Sequence, residues 1–176
     1  MGRDLPNEIN WKIREQIDWE QPFPPEEYAA RRTKVQAALA REGVDGIFVT
    51  SPADVCYLTG YDQVWLYKYN LIGLFLSADS GDTLFFDIDM HPCLVDTTPE
   101  IEDVVYLPRG PVEPHIGIIA DQVKDRGWAR GTIVIQPWCY GPHPKMVEAV
   151  GDRLAEAGAT IVDGSTLIED VRLVKS

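Results

Sequence analysis

The sequence is poor in cysteine and has no long apolar run. No uninterrupted apolar stretch in its 176 residues approaches the ~20 needed to cross a bilayer. The first residues, MGRDLPNEIN, lack the apolar segment of a signal peptide. The three cysteines, Cys56, Cys93 and Cys139, are widely spaced and form no CxxC pair. This pattern predicts reduced thiols, buried as small apolar side chains in a cytoplasmic protein.

Basic residues are also scarce. The chain has 16 Lys and Arg against 28 Asp and Glu, which gives a formal net charge of −12. Nucleic-acid binding requires Lys and Arg clustered on one face, and no such cluster stands out, so nucleic acid is not an expected partner. The acidity instead favours solubility. The length and the 45% apolar share suffice for one globular domain with a sizeable core.

Common phosphate-binding and catalytic motifs are missing. Neither GxGxxG nor GxxxxGK[ST] occurs, so no phosphate-binding loop is predicted, and there is no GxSxG nucleophile elbow. The histidines show neither the HExxH pattern nor the i, i+4 spacing of a helical metal site. We therefore expect His115 and His143 to be surface or loop-anchoring residues.

Alternating helical and strand patterns make up most of the chain. A helix is predicted from Pro25, which suits a first turn, to Gly43, which is a typical C-cap. Two apolar runs, 71–76 and 83–88, flank a glycine-containing loop and predict a β-hairpin. Further strands are predicted at 47–49, 104–107, 132–136 and 160–162, and helices at 52–58, 111–126, 144–157 and after a cap at Ser165. This order predicts an α/β fold, a three-layer sandwich with a mixed β-sheet flanked by helices.

A polar cluster follows the second strand of this hairpin. Alternate residues at a strand end project to the same side, so Asp87, Asp89 and His91 could converge and bind a divalent ion. The alternative is that all three are solvated residues at the exit from an edge strand. Because Pro92 bends the chain directly afterwards, we favour the solvated interpretation.

An aromatic segment precedes the hairpin. Residues 65–69 contain three aromatic side chains and a lysine, which are costly to leave in solvent. They either pack under the sheet or line an interface. Aromatic residues with a basic residue are typical of sites that hold a carboxylate, a cationic ligand or a partner protein. Considered by itself, the segment favours core packing somewhat over an interface.

A family resemblance is carried by the stretch from residue 28 to 61, which reads YAARRTKVQAALAREGVDGIFVTSPADVCYLTGY. It resembles the amino-terminal domain of creatinase and of the proline-specific peptidases prolidase and aminopeptidase P, of peptidase family M24. The matching residues are Arg31, Arg32, Leu39, Gly43, Asp45, Asp54, Tyr57, Leu58, Thr59, Gly60 and Tyr61. The final LIEDVRLVKS resembles the linker that leads to the family's "pita-bread" catalytic domain. The resemblance implies the same α/β sandwich, with a ribonuclease H-like motif.

This resemblance also implies a division of the chain. Residues 1–24 would be an amino-terminal arm, 25–166 the creatinase-type domain, and 167–176 the start of the linker to a catalytic domain that the sequence does not include. In the family, that catalytic domain holds two divalent metal ions, or none if the parent is creatinase-like. We therefore expect no catalytic residue, metal ligand or cofactor in this chain and no activity by itself, within a parent that is a metal-dependent hydrolase.

The resemblance implies a binding role as well. In the family, the amino-terminal domain mediates dimer contacts, and the loop after the YLTG turn reaches the neighbouring subunit's active site. Trp65, Tyr67 and Lys68 would then contact substrate in trans, and the expected partners are a second copy and the chain's own catalytic domain. Lys68 stands where creatinase has arginine, and offers a point charge rather than a bidentate fork. The substrate stays open between an Xaa-Pro peptide, creatine and another small amide.

Two other functions remain as alternatives. A stand-alone, flavodoxin-like module would bind a small molecule in the crevice at its strand ends. A small metal-dependent enzyme would use Asp87, Asp89 and His91.

Overall fold

A computed structural model describes residues 22–67 and 70–174, without the side chains of Val64 and Tyr67. The predicted arm, residues 1–24, lies outside the described residues except for 22–24. In the described part of the chain, the helices are α1 (Pro25–Glu42), α2 (Pro52–Thr59), α3 (Pro92–Asp96), α4 (Glu113–Asp125), α5 (Pro144–Glu156) and α6 (Leu167–Leu173). The strands are β1 (Gly46–Val49), β2 (Gly73–Ser77), β3 (Thr83–Ile88), β4 (Val104–Leu107), β5 (Thr132–Ile135) and β6 (Thr160–Asp163). A short 3₁₀ turn, Val64–Tyr67, lies between α2 and β2.

The strands form one mixed sheet in the order β4-β3-β2-β1-β5-β6. Strand β2 pairs antiparallel with both β1 and β3, whereas the other neighbouring strands pair in parallel. Among the strands described, β2 is therefore the one that runs in reverse. The ends of β1, β3, β4, β5 and β6 and the start of β2 lie at the same end of the sheet, which we call its carboxyl end. The predicted α/β class, mixed sheet and hairpin are confirmed.

Helices cover the sheet in two groups. Helices α1, α2 and α6 contact one another, and α4 contacts α5. The central strands β1 and β2 are buried at every position. Strands covered on both faces need continuous apolar sequence, which is why the two read GIFV and GLFLS rather than as alternating patterns. Burying each Phe, Leu or Ile side chain contributes about 1.5–3 kcal/mol to this core.

Helix α1 has the predicted boundaries. It begins at Pro25, with acidic residues in its first turn, and Gly43 ends it in the left-handed region at φ 66°. Glycine adopts that conformation without the steric cost of a Cβ atom. The predicted buried stripe of this helix is also present and consists of Tyr28, Val35, Ala38 and Leu39.

Several local predictions are wrong. Helix α3 was not predicted, and β3 is an interior strand because β4 pairs with its outer side. Ser165 does not cap α6, because its hydroxyl donates to Asp163 and accepts from the amide of Trp138. Cys93 is exposed rather than buried, and Cys56 and Cys139 are only partly buried. No helix among the described residues has the length and apolarity of a membrane span.

Candidate functional site

Four side chains from separate parts of the sequence meet at the carboxyl end of the sheet. We call Tyr61, Asp87, His91 and Trp65 the Asp87 cluster. Oδ2 of Asp87 accepts a hydrogen bond from the Tyr61 hydroxyl at 2.6 Å. Oδ1 of Asp87 lies 2.8 Å from Nδ1 of His91 and accepts from the amide of Ile88 at 2.7 Å. Asp87 and His91 are both buried, so the solvated interpretation is wrong for these two residues.

Burial controls the ionisation of this cluster. It raises the pKa of the Tyr61 hydroxyl far above its usual range, and the neighbouring Asp87 carboxylate raises that pKa further. Tyr61 therefore stays protonated and acts as a donor. Burial also raises the pKa of Asp87, and the hydrogen bonds from Tyr61 and His91 oppose that rise. The three donors satisfy a carboxylate that would otherwise be costly to bury.

The YLTGY turn explains how Tyr61 reaches Asp87. Gly60 ends α2 in the left-handed region at φ 77°, which reverses the chain. The buried hydroxyl of Thr59 donates to the carbonyl of Val55 and accepts from the amide of Tyr61. The Tyr61 ring then packs on Phe85 with centroids 5.0 Å apart. The motif that carries the family resemblance thus aims a hydroxyl at a buried carboxylate.

Trp65 is the exposed member of the cluster. It lies in the 3₁₀ turn beside Leu66, which is buried, whereas Trp65 is 40% exposed. Its ring stacks on the His91 imidazole, with centroids 5.2 Å apart and planes 18° apart. Core packing is therefore confirmed for Leu66 and wrong for Trp65. The side chain of Tyr67 and all of Lys68 lie outside the described residues, so the substrate-contacting role of Trp65, Tyr67 and Lys68 stays a prediction.

Asp89 does not join the cluster. Its exposed carboxylate forms an ion pair with Nε of Arg109 at 2.7 Å. The solvated interpretation is therefore confirmed for Asp89, and the alternative, in which Asp87, Asp89 and His91 converge on a divalent ion, is wrong. In residues 22–67 and 70–174, no group of three His, Cys, Asp or Glu side chains is placed to hold a metal ion.

A second feature of the carboxyl end is a cavity of about 690 Å³ next to the ends of β1, β5 and β6. Its lining residues are Ser51, Ala53, Asp54, Pro137, Trp138, Cys139, Tyr140, Pro144, Ser165, Glu169 and Arg172. Trp138 and Tyr140 on its rim are 84% and 93% exposed. The cavity therefore combines exposed aromatic surface with charged groups.

The buried polar residue of this cavity is Asp54. Its Oδ1 accepts from Nη1 of Arg172 at 2.6 Å and its Oδ2 accepts from Nε2 of Gln136 at 2.7 Å. The side-chain oxygen Oε1 of Gln136 in turn accepts from the backbone amides of Thr50 and Ser51. Asp54 belongs to the stretch from residue 28 to 61 and Arg172 to the linker-like segment, so the two stretches that carry the resemblance are in direct contact.

The remaining histidines anchor loops. Nε2 of the buried His115 donates to the carbonyl of Pro108 at 2.7 Å. Nδ1 of the exposed His143 accepts from the amide of Lys145 and caps α5. The loop-anchoring prediction is confirmed for both residues, although His115 is not on the surface.

Known proteins with similar sequence and structure agree on one family. The model of the creatinase/prolidase N-terminal domain matches residues 31–174. Ectoine hydrolase of Halomonas elongata is 26% identical over 162 residues, which cover 88% of this chain and 39% of the relative. The prolidase structure from Thermococcus sibiricus has a TM-score of 0.67 at 19% identity, over 85% of this chain and 38% of that one.

A third similar protein is a single domain. The N-terminal domain of the cytoplasmic peptidase PepQ from Mycobacterium tuberculosis has a TM-score of 0.62 at 18% identity, over 81% of this chain and 98% of that one. The present chain spans about two fifths of ectoine hydrolase but nearly all of this domain. The structural likeness supports the fold, and the family match covers most of the sequence. The chain belongs to the creatinase/prolidase N-terminal domain family.

Proposed function

We propose that this chain is the non-catalytic N-terminal domain of a metal-dependent hydrolase, and that it forms dimer contacts and closes the neighbouring subunit's active site. The observation that supports this role is the packing of an exposed Trp65 ring on a hydrogen-bonded histidine. The ring is 40% exposed, yet it stacks on a histidine that is hydrogen-bonded to a buried aspartate. An exposed aromatic ring on a fixed platform is suited to contact a ligand or a partner subunit.

The proposed reaction is hydrolysis of an amide or another C–N bond. Ectoine hydrolase and prolidase are among the similar proteins, so ectoine-like rings and Xaa-Pro peptides join creatine as candidate substrates. Divalent metal ions in the proposed catalytic domain would supply an activated water. The contribution of this chain is to position the substrate and to exclude bulk water, through Trp65, Tyr67 and Lys68.

Replacement of Trp65 by alanine in the full-length protein tests this role. We expect kcat/KM to fall about tenfold, mainly through KM, because the ring contacts substrate and not the reacting atoms. The matched control is Met90→Ala, which removes another exposed apolar side chain at the same end of the sheet and leaves kcat/KM unchanged.

The trans arrangement has a test of its own. Subunits that carry Trp65→Ala are mixed with subunits whose catalytic domain is inactive but whose Trp65 is intact. In a trans arrangement, the mixed dimer contains one complete site and recovers activity. If mixing restores no activity, or if the protein is a monomer in solution, the proposal that this domain closes the neighbouring subunit's active site is wrong.

A cytoplasmic location is part of the proposal. Cys56, Cys93 and Cys139 are free thiols, which suits a reducing compartment. One similar structure is that of a cytoplasmic peptidase.

The cavity beside β1, β5 and β6 favours a second candidate, a small-molecule binding module. Its 690 Å³ volume is in the range of ligand sites, and strand ends are where α/β sheets bind ligands. Screening small carboxylates and aromatic amines against the isolated chain would give a rise in Tm for a true ligand. That rise should disappear in Tyr140→Ala, and a ligand that acts equally on both proteins would contradict this candidate.

A further inference from the structure

The orientation of Trp65 depends on contacts that begin in the hydrophobic core. Tyr61 and Asp87 are both fully buried, and the Tyr61 hydroxyl donates to the Asp87 carboxylate at 2.6 Å. The Tyr61 ring is held against Phe85 of β3, the strand that also carries Asp87. Asp87 therefore has a fixed side-chain position, with Oδ1 directed towards His91.

His91 is restrained through both its backbone and its side chain. Its amide donates to the carbonyl of Ile88 at 3.0 Å, and it is the N-cap residue of α3. Nδ1 of the imidazole lies 2.8 Å from Oδ1 of Asp87, and a carboxylate accepts, so Nδ1 carries the proton of this bond. Two restraints of this kind fix the ring plane, in the way that a buried aspartate orients a histidine in other sites.

The exposed face of this imidazole is covered by Trp65. Leu66 anchors the 3₁₀ turn in the core, and Trp65 beside it lies flat on the His91 ring, with the planes 18° apart. Within the described part of the chain, the ring-to-ring contact of Trp65 is the stack on His91, so the imidazole supplies a flat surface for the indole.

We propose that His91 is the positioning residue of Trp65. The hydrogen-bonded series Tyr61–Asp87–His91 holds the imidazole as a platform, and the platform sets the plane of the Trp65 ring. A buried carboxylate costs free energy that an apolar residue would avoid. The orienting role explains the use of Asp87 at this position. The inference rests on the proposed function only for its consequence in substrate binding.

The indole N–H signals of the ¹⁵N-labelled chain test the positioning directly. The chain has five tryptophans, and Trp65→Phe identifies the signal of Trp65 by its loss. His91→Ala and Asp87→Asn should each shift the Trp65 signal by more than its line width, because the stacked ring is removed or released. The other signals should stay in place, which also shows that each variant is folded.

Asp89→Asn is the matched control. Asp89 is two residues from Asp87 but pairs with Arg109 at the surface, so the Trp65 signal should not move. An unchanged Trp65 signal in His91→Ala overturns the proposal. The proposal is also overturned if Asp89→Asn shifts the Trp65 signal as much as Asp87→Asn does. Any substitution near Asp87 would then be enough to move that signal.

Kinetics of the full-length hydrolase separate this inference from the proposed contact between Trp65 and substrate. His91→Ala should raise KM about as much as Trp65→Ala does, and the double variant should be no worse than Trp65→Ala. Additive effects would contradict positioning through Trp65. If Trp65→Ala leaves KM unchanged while the indole signal still shifts in His91→Ala, the proposed contact of Trp65 with substrate is wrong. The positioning of Trp65 by His91 is then still supported.

Discussion

At the scale of single residues, the Tyr61 hydroxyl shows how burial turns a polar group into a structural donor. It lies in the core, it donates to a buried carboxylate, and both conditions raise its pKa far above the usual range. Because the folded state keeps the proton, Tyr61 contributes its full stabilisation below the unfolded-state pKa of 10.0. Above that pH the unfolded chain loses the proton while the folded chain does not, so stability falls.

The Tyr61→Phe variant measures the contribution of this hydroxyl to the free energy of unfolding. At pH 8 the variant should lose about 1.5–3 kcal/mol of unfolding free energy, because a hydrogen bond to a charged acceptor is removed. Above pH 10 the wild-type free energy should fall by up to about 1.4 kcal/mol per pH unit from this group, and the difference from the variant should narrow.

Urea unfolding between pH 8 and pH 11 provides the comparison. Tyr140→Phe is the control, because Tyr140 is 93% exposed and its removal should change neither the free energy nor its pH dependence. A constant difference between Tyr61→Phe and wild type across this range would contradict the pKa argument.

At the scale of elements, the last helix is held to the domain by the buried side chain of Ile168 and by an ion pair. Arg172 of α6 donates to Asp54 of α2, and the two side chains are 34% and 2% exposed. The carboxylate has Gln136 as its other partner, and loss of Arg172 would leave a buried charge half satisfied. The attachment therefore depends in part on Arg172, which lies within the linker-like segment.

Arg172→Ala should destabilise the chain by about 2–3 kcal/mol, less than for a fully buried pair because water reaches the guanidinium. The measurement is the unfolding free energy in urea. Arg153→Ala is the matched control, since the Arg153–Glu156 pair is exposed and should be worth no more than about 0.5 kcal/mol. Equal effects of the two variants would show that α6 does not depend on Asp54.

Local sequence signals predicted most elements, and long-range pairing accounts for the errors. The helix from Pro25 to Gly43 and the hairpin were predictable because proline, glycine and continuous apolar runs act over a few residues. Helix α3, with five residues, is too short to show a helical period.

The buried polar contacts were not predictable in the same way. The burial of Asp87 has no local signal, because nothing near it in sequence shows that β4 pairs with the outer side of β3. Asp54 meets Arg172 across 118 positions and Gln136 across 82, and no local pattern encodes either contact. The family resemblance pointed to Trp65, whereas the platform of His91 and Asp87 follows from tertiary structure.

At the scale of the whole molecule, the two ends of the sheet carry different features. The Asp87 cluster and the 690 Å³ cavity both lie at the carboxyl end. The opposite end contains the hairpin turn at residues 78–82, closed by the bond from the Gly81 amide to the Ser77 carbonyl. Asp79 and Ser80 of this turn are exposed.

Because the hairpin turn lies at the opposite end of the sheet from the Asp87 cluster, it is a suitable place to attach a label. A fluorophore or a surface tether introduced at residues 79–80 would stand a full strand length away from Trp65 and from the rim of the cavity. Exposed loop tips with small or polar residues tolerate such additions well. Immobilised through this turn, the molecule would present its carboxyl end outward, free to meet a second subunit or a ligand from solution.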